Sequence, residues 1–319
     1  MSLAQTVQRA FPGNRLKGPR TRDRALIEAA NVAYHEAEAE LYDVSHPEIL
    51  WCERAHWEAF GRRFLSSGRP PYQLLDIGAG TGFIAGVLGP FLGRADRYVA
   101  TDLSPEMLAV LSRKLTSFPA QLEALIARAD ALPFEDASFD VAFINSALHH
   151  FPDVEGSLRE AARVVKPGGI FAVMHEPNIR FTRSWFSRQL ARVTSVVASR
   201  IDRTSAPAHA DYTPVFAHVN QRLQTLRLIS EPLASREIQA LVDVHSPTAR
   251  GRYEAIGFDP PAWLQGPLRG WNLELLETYN HLGKLEPSSV AWRRAIETVS
   301  SRLRPNSGYL FSFVARKPR

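Results

Sequence analysis

The strongest constraint on this chain's fold lies between residues 72 and 175, where short apolar runs alternate with segments of helical spacing. A strand over 73–77 runs into a glycine turn and a helix at 82–92. A second strand at 98–102 leads to a helix that Ser104 caps and Pro105 opens. The third strand is expected at 122–127. After Leu132-Pro133-Phe134 and an acidic turn, the fourth follows at 140–145. A helix over 154–165 stops at Lys166-Pro167-Gly168-Gly169, and a fifth strand occupies 170–175. Such alternation implies a parallel, doubly wound sheet with right-handed crossovers.

The flanks divide the rest. Residues 1–24 read as a basic flexible arm, with Arg9, Arg15, Lys17, Arg20, Arg22 and Arg24 against Asp23 alone. A cleaved targeting segment also fits that composition, although the apolar core of a secretory signal is missing. Residues 25–68 are expected to be a helical lid. It comprises a helix at 25–42 and a second from Pro47 to Leu65 that buries Ile49, Trp57, Phe60 and Phe64. Residues 69–178 form the Rossmann-like core. Residues 179–270, broken by prolines and lacking the strand–helix rhythm, read as a cap over the substrate. Residues 271–319 complete the sheet with a strand at 273–281, a helix at 290–303 and an alternating edge strand at 308–315.

The expected class is therefore α/β: a doubly wound, mostly parallel, seven-stranded Rossmann-like sheet with N-terminal helices and a largely helical cap. Within the cap, Phe186, Leu190, Val193 and Val197 share a helical face opposite Arg188, Arg192, Ser195 and Ser199. Two readings of that segment stand, a cap helix packed on the sheet and a lid in peripheral contact with an anionic membrane. The added helices supply either a homodimer surface or only a cap.

Composition narrows the chemistry. Cys52 is the only cysteine among 319 residues, so no internal disulfide, cysteine zinc cluster or three-cysteine iron–sulfur motif can form. No apolar run approaches the ~20 residues of a membrane span, and a cytoplasmic location is expected. The net charge of +5 suits acidic partners without identifying one.

Two details of the glycine turn set its ligand. Glycines at 78, 80 and 82 make G-x-G-x-G, and Phe83 stands where a dinucleotide fingerprint needs its last glycine. Asp76, two residues ahead of Gly78, would repel a pyrophosphate but suits a ligand carrying an ammonium and a sulfonium. The turn therefore points to S-adenosylmethionine (SAM). Asp102, ending the second strand 20 residues beyond Gly82, is placed to accept both ribose hydroxyls. Asp130, beside Ala131 after the third strand, is placed to meet the adenine amino group, and Leu103 and Met107 offer apolar faces to its ring. With no iron–sulfur motif available, methyl transfer is polar rather than radical.

The residues also carry a resemblance. The stretch 74–83, Asp102-Leu103-Ser104-Pro105, Asp130-Ala131-Leu132-Pro133-Phe134, Phe139-Asp140, Leu148-His149-His150-Phe151 and Val164-Val165-Lys166-Pro167-Gly168-Gly169 resemble class I SAM-dependent methyltransferases. Within them they are most similar to the small-molecule branch that includes the ubiquinone/menaquinone C-methyltransferases. The likeness covers about residues 70–177, and Tyr42-Asp43 is similar to the Tyr-Asp of that branch's closing helix. It implies that Gly78, Ala79, Gly80, Thr81 and Gly82 approach the methionine half of SAM and that Asp76 holds its ammonium. It further implies that Asp102 holds the ribose and Asp130 with Ala131 the adenine, that Tyr42 closes over the cofactor, and that Asn145 lies near the transferring methyl. Plainer readings stand beside these: Asp102 or Asp76 capping a helix, Asp130 as a loop carboxylate, Asn145 satisfying backbone groups, and Tyr42 as core.

For the acceptor's proton, His149 and His150 follow the fourth strand, where a neutral imidazole suits a phenol or enol. Glu176, past the fifth strand, is a second candidate for orienting substrate or assisting proton removal. Backbone anchoring of the histidine loop and a loop salt bridge at Glu176 are the alternatives. No metal is expected. Nucleic acid is disfavoured as substrate. Asn145-Ser146-Ala147-Leu148 lacks the Pro-Pro-aromatic that stacks a planar amide or base, and the fourth strand lacks a Pro-Cys nucleophile. The expected activity is in-line methyl transfer to an oxygen or activated carbon of a small molecule. The alternatives are a SAM-binding protein with lost or non-methylating activity, or an RNA methyltransferase.

Overall fold

The computed structural model describes residues 21–47, 49, 53–65, 71–189, 192–193, 211–245, 257–279 and 308–319. In chain order the elements are α1 (Thr21–Glu38), α2 (Tyr42–Ser45), α3 (Arg54–Phe64), β1 (Gln73–Ile77), α4 (Phe83–Leu88), β2 (Arg97–Asp102), α5 (Pro105–Lys114), β3 (Gln121–Ile126), β4 (Phe139–Asn145), α6 (Val154–Val164), β5 (Val165–Pro177), α7 (Ile179–Arg183), α8 (Thr213–Thr225), α9 (Ser235–Val242), α10 (Pro260–Trp263), β6 (Asn272–Tyr279) and β7 (Leu310–Arg316). Ser104 caps α5 through its hydroxyl, which accepts from Met107 N, with Pro105 in the first turn.

The seven strands lie in the order β3-β2-β1-β4-β5-β7-β6. Neighbours among β1 to β5 run parallel, and β7 is antiparallel to both β5 and β6. The sheet is therefore doubly wound about β1 and β4, whose carboxyl ends flank the crevice where such folds bind ligands. Alternation along β1 sends Leu74 and Leu75 to opposite faces. Leu74 joins Trp57, Phe60, Ile84, Leu111 and Phe143 on one side. Leu75 joins Leu158, Phe171, Trp263 and Phe313 on the other.

A third apolar cluster lies apart from the sheet. Ile27, Ala30, Ala33 and Tyr34 of α1 pack on Val219 and Leu223 of α8 and Ile238 and Leu241 of α9. The N-terminal helix and the cap thus share one core, although the chain separates them by almost two hundred residues. Among the described residues no helix is long and apolar enough to cross a membrane.

Several expectations are corrected. The strand expected at the final edge, β7, is interior, and β6 takes the edge. Leu310-Phe311-Ser312-Phe313-Val314-Ala315 is buried throughout, because a nearly continuous apolar run suits a strand covered on both faces. Helix α1 begins at Thr21 and ends at Glu38, so the end of the basic arm is already helical. Phe186 and Val193, expected to pack inward if the cap helix lay on the sheet, are 48% and 59% exposed. Phe181, earlier in the same region, is buried with its ring against Tyr309. Leu190, Ser195, Val197, Ser199, Cys52, the arm before residue 21 and the helix expected at 290–303 lie outside the described residues.

Candidate active site

The glycine turn is tied to the neighbouring strand, with Gly78 N and Ala79 N both donating to Thr101 O (2.8 and 2.9 Å). Gly78 and Gly82 have φ of 77° and 82°, where a side chain is strained. A Cβ at Gly78 would also lie 2.7 Å from Ala147 Cβ. Around Gly80, in contrast, a Cβ would meet nothing within 4 Å, so this part of the turn borders open space.

That space is a crevice of about 870 Å³ counted out to bulk solvent. From the core it is lined by Gly78, Gly80, Asp102, Leu103, Met107, Asp130 and His150, and from the N-terminal segment by Glu28, Asn31, Val32, His35 and Tyr42. Eight residues proposed from sequence therefore meet here: Tyr42, Gly78, Gly80, Asp102, Leu103, Met107, Asp130 and His150. The α1 wall was missed. Its signal was present in the sequence as a polar stripe, Glu28, Asn31 and His35, flanking the apolar Ile27, Ala30 and Tyr34.

The carboxylates differ in their surroundings. Asp102 accepts from Gly80 N (2.9 Å) and Ser104 N (2.9 Å), one bond to each oxygen, and shapes the turn while lining the crevice. Asp130 is clasped by Arg24 of α1 and by Arg128 (3.2 and 3.4 Å). Burial, with the charge of Asp153 adding to it, outweighs Arg24 and raises its pKa. Asp76 does not line the crevice. It shares the Leu74 face of β1, is 1% exposed, and accepts from Tyr98 OH (2.7 Å). Burial pushes it up to about 7 against the Tyr98 hydrogen bond, with the charge of Asp102 adding to the rise.

The remaining cofactor candidates stand behind the wall. Thr81 is buried and donates to Asp43 Oδ1 (2.6 Å), so the residue after Tyr42 fastens the N-terminal segment to the glycine turn. Ala79 and Gly82 are buried within the turn, and Ala131 is exposed beside Arg128. Asn145, expected near the methyl, turns its amide away from the crevice. Its Oδ1 accepts from Trp57 Nε1 (2.8 Å) and its Nδ2 donates to Glu53.

The histidine turn is built by a bulge. The pairing of β5 with β7 shifts register between Met174 and Glu176, and His175 takes φ 61° there. Glu176, fully buried, then accepts from the backbone N of Ala147 (2.7 Å), Leu148 (2.7 Å) and His149 (3.2 Å), and meets His149 Nδ1 at 2.9 Å. Glu176 thus positions the turn. From the cap, His150 Nδ1 meets Val242 O (2.8 Å), and Asp243 Oδ1 lies 3.9 Å from His149 Nε2 and 3.5 Å from His150 Nδ1. Because a carbonyl only accepts, Nδ1 of His150 carries the proton and Nε2 its lone pair.

The two rings are driven apart in basicity. Burial disfavours the charge on His149, but Glu176, Asp243 and Glu53 outweigh it and raise its pKa. Burial, reinforced by His149 and His35, holds His150 well below the ordinary histidine value. At neutral pH His150 is an uncharged imidazole on the crevice wall.

Residues 75–173 match the family model described as a methyltransferase domain. The ubiquinone/menaquinone biosynthesis C-methyltransferase UbiE of Brucella anthropi is 38% identical over 144 residues, 44% of this chain and 54% of the relative. The demethylmenaquinone methyltransferase of Bacillus cereus is 35% identical over 129 residues, 40% of this chain and 54% of the relative. The chain spans about half the length of these curated relatives. A solved SAM-dependent methyltransferase from Mesorhizobium loti aligns with a TM-score of 0.46 at 19% identity, covering 82% of this chain and 98% of that one. The residues present fit SAM. Gly80 borders space that a ligand backbone can enter, and Asp102 stands beside apolar Leu103 and Met107. On the α1 wall, Asn31 Oδ1 and His35 Nδ1 are buried without a hydrogen-bond partner, as expected where a polar ligand completes the set. Residues 75–173 thus match a methyltransferase domain and are similar to that part of the quinone-biosynthesis C-methyltransferases.

Proposed function

We propose that the whole chain is a methyltransferase acting on an oxygen or activated carbon of a small molecule. The observation that best supports this is the neutral imidazole of His150 on the wall that Gly80 and Asp102 also line. SAM, when bound, supplies a methyl group on a positively charged sulfur, open to in-line displacement. In this reading Asp102 accepts the ribose hydroxyls with the lone pairs that Gly80 and Ser104 leave unused. Leu103 and Met107 flank the adenine, and Asp130 receives its amino group as Arg24 yields. Helix α1 and Tyr42 close the crevice, exclude water and help hold the acceptor in line. Orientation of that kind is worth roughly 7–11 kcal/mol of barrier.

His150 Nε2 takes the acceptor's proton, while Glu176 and His149 hold the turn that presents it. The names of the two relatives favour a quinone-like ring, in which a hydroxyl that loses its proton activates the neighbouring carbon.

Incubation with methyl-labelled SAM and a set of hydroxylated aromatic and enolic acceptors should give labelled product and S-adenosylhomocysteine in equal amounts. Tight SAM binding with no turnover over that set would make the chain a SAM-binding protein without methyl transfer. Asp102→Ala should weaken SAM binding by roughly 1.5–3 kcal/mol, the scale of hydrogen bonds to a charged group. Unchanged affinity by calorimetry would remove Asp102 from the ribose.

A further inference from the structure

Nothing in the proposed reaction uses Asp243, although the cap carries it to the histidine turn. One ring nitrogen of His149, one of His150 and a carboxylate oxygen of Asp243 lie within 4.8 Å of one another, a spread that a single ion can gather. The three side chains are 15%, 17% and 15% exposed, sheltered yet open to a small ion. Each histidine also has its Nδ1 engaged by an oxygen, Glu176 Oε2 at 2.9 Å for His149 and Val242 O at 2.8 Å for His150. Outer acceptors of this kind orient metal-binding imidazoles; Asp243 Oδ1 faces Nε2 of His149 (3.9 Å) and Nδ1 of His150 (3.5 Å).

We propose that His149, His150 and Asp243 form a site for a divalent first-row transition ion, with Glu176 and Val242 O as its outer shell. Two imidazoles and one carboxylate suit ions of the zinc, iron(II) or cobalt(II) kind and disfavour magnesium or calcium. The negative charges of Asp243 and Glu176 match a double positive charge. His150 lines the crevice, so the site adjoins the space proposed for the acceptor. Binding of the ion is independent of the methyl-transfer reading; only its use on an acceptor oxygen rests on that reading. With the ion present, one ring nitrogen of His150 is a ligand, and the ion acidifies the acceptor's hydroxyl, whose proton passes to solvent water.

The test uses the full chain, stripped with a chelator and titrated with Co²⁺ in the absence of SAM and acceptor. One equivalent should bind with a visible d–d band and raise the melting temperature, since an ion held only by the folded state stabilises it. Asp243→Asn and His149→Gln should each weaken binding at least about 100-fold, the upper range seen even for outer-shell losses. Asp243→Asn should keep the ion-free melting temperature. His218→Gln, on α8 beside Glu36, should bind as wild type does. No stoichiometric band in wild type, or equal affinity in Asp243→Asn and His149→Gln, overturns the site. Because no turnover is read, the methyl-transfer reading stands or falls separately.

Discussion

Replacing His150 by Gln is expected to slow methyl transfer by about 10²–10⁴-fold, the contribution of a positioned proton acceptor, while changing SAM affinity only a few-fold. The size follows from the site. His150 lines the crevice, Val242 O fixes its tautomer, and burial keeps it uncharged at neutral pH. Because its pKa is lowered, the acid limb of the wild-type rate profile should fall below the usual histidine range, leaving the rate flat around neutrality. Steady-state kinetics beside calorimetry decide the matter; equal losses in rate and affinity would mark His150 as structural. An ion at the turn would leave the loss in place, since Gln removes ligand and base alike. Chelator sensitivity of the wild-type rate separates the two roles. Glu176→Ala should act differently, because it strands three buried backbone N–H groups and so costs stability first.

Asp76→Asn is expected to stabilise the ligand-free protein at pH 8 and to leave it almost unchanged near pH 4. The folded chain raises the Asp76 pKa from 3.8 to about 7, chiefly by burial. Between those values the folded state holds more protons than the unfolded state, so stability falls as pH rises through the window and levels off above about 7. A shift of roughly three units corresponds to about 4 kcal/mol. Asn keeps the shape and an oxygen for Tyr98 OH but carries no charge. Urea unfolding of both proteins across pH 4–8 measures the effect; parallel curves would show that Asp76 is not the group responsible.

Much of this was legible before any tertiary contact was known. The strands of the core, the glycine turn and the Ser104 cap are local: a short apolar run, a positive φ and a hydroxyl three residues from an N–H are all written within a few positions. Asp102 was legible for the same reason, since it follows directly from where β2 ends. Asp76 and Asn145 were placed on the right strands and given the wrong neighbours. Each sits at a strand position whose side chain turns toward the Trp57 side of the sheet, where Tyr98, Trp57 and Glu53 claim it.

The sequence alone determined the order of strands and helices through the core, the ligand class of the turn and the pair of histidines beyond β4, because these depend on spacing along the chain. Only the tertiary structure decided that α1 walls the crevice, that β7 lies inside the sheet, that Glu176 braces the histidine turn and that Asp243 reaches it from the cap. Those contacts join residues tens to more than a hundred positions apart. Their energies depend on burial and packing across the fold, which no local pattern records.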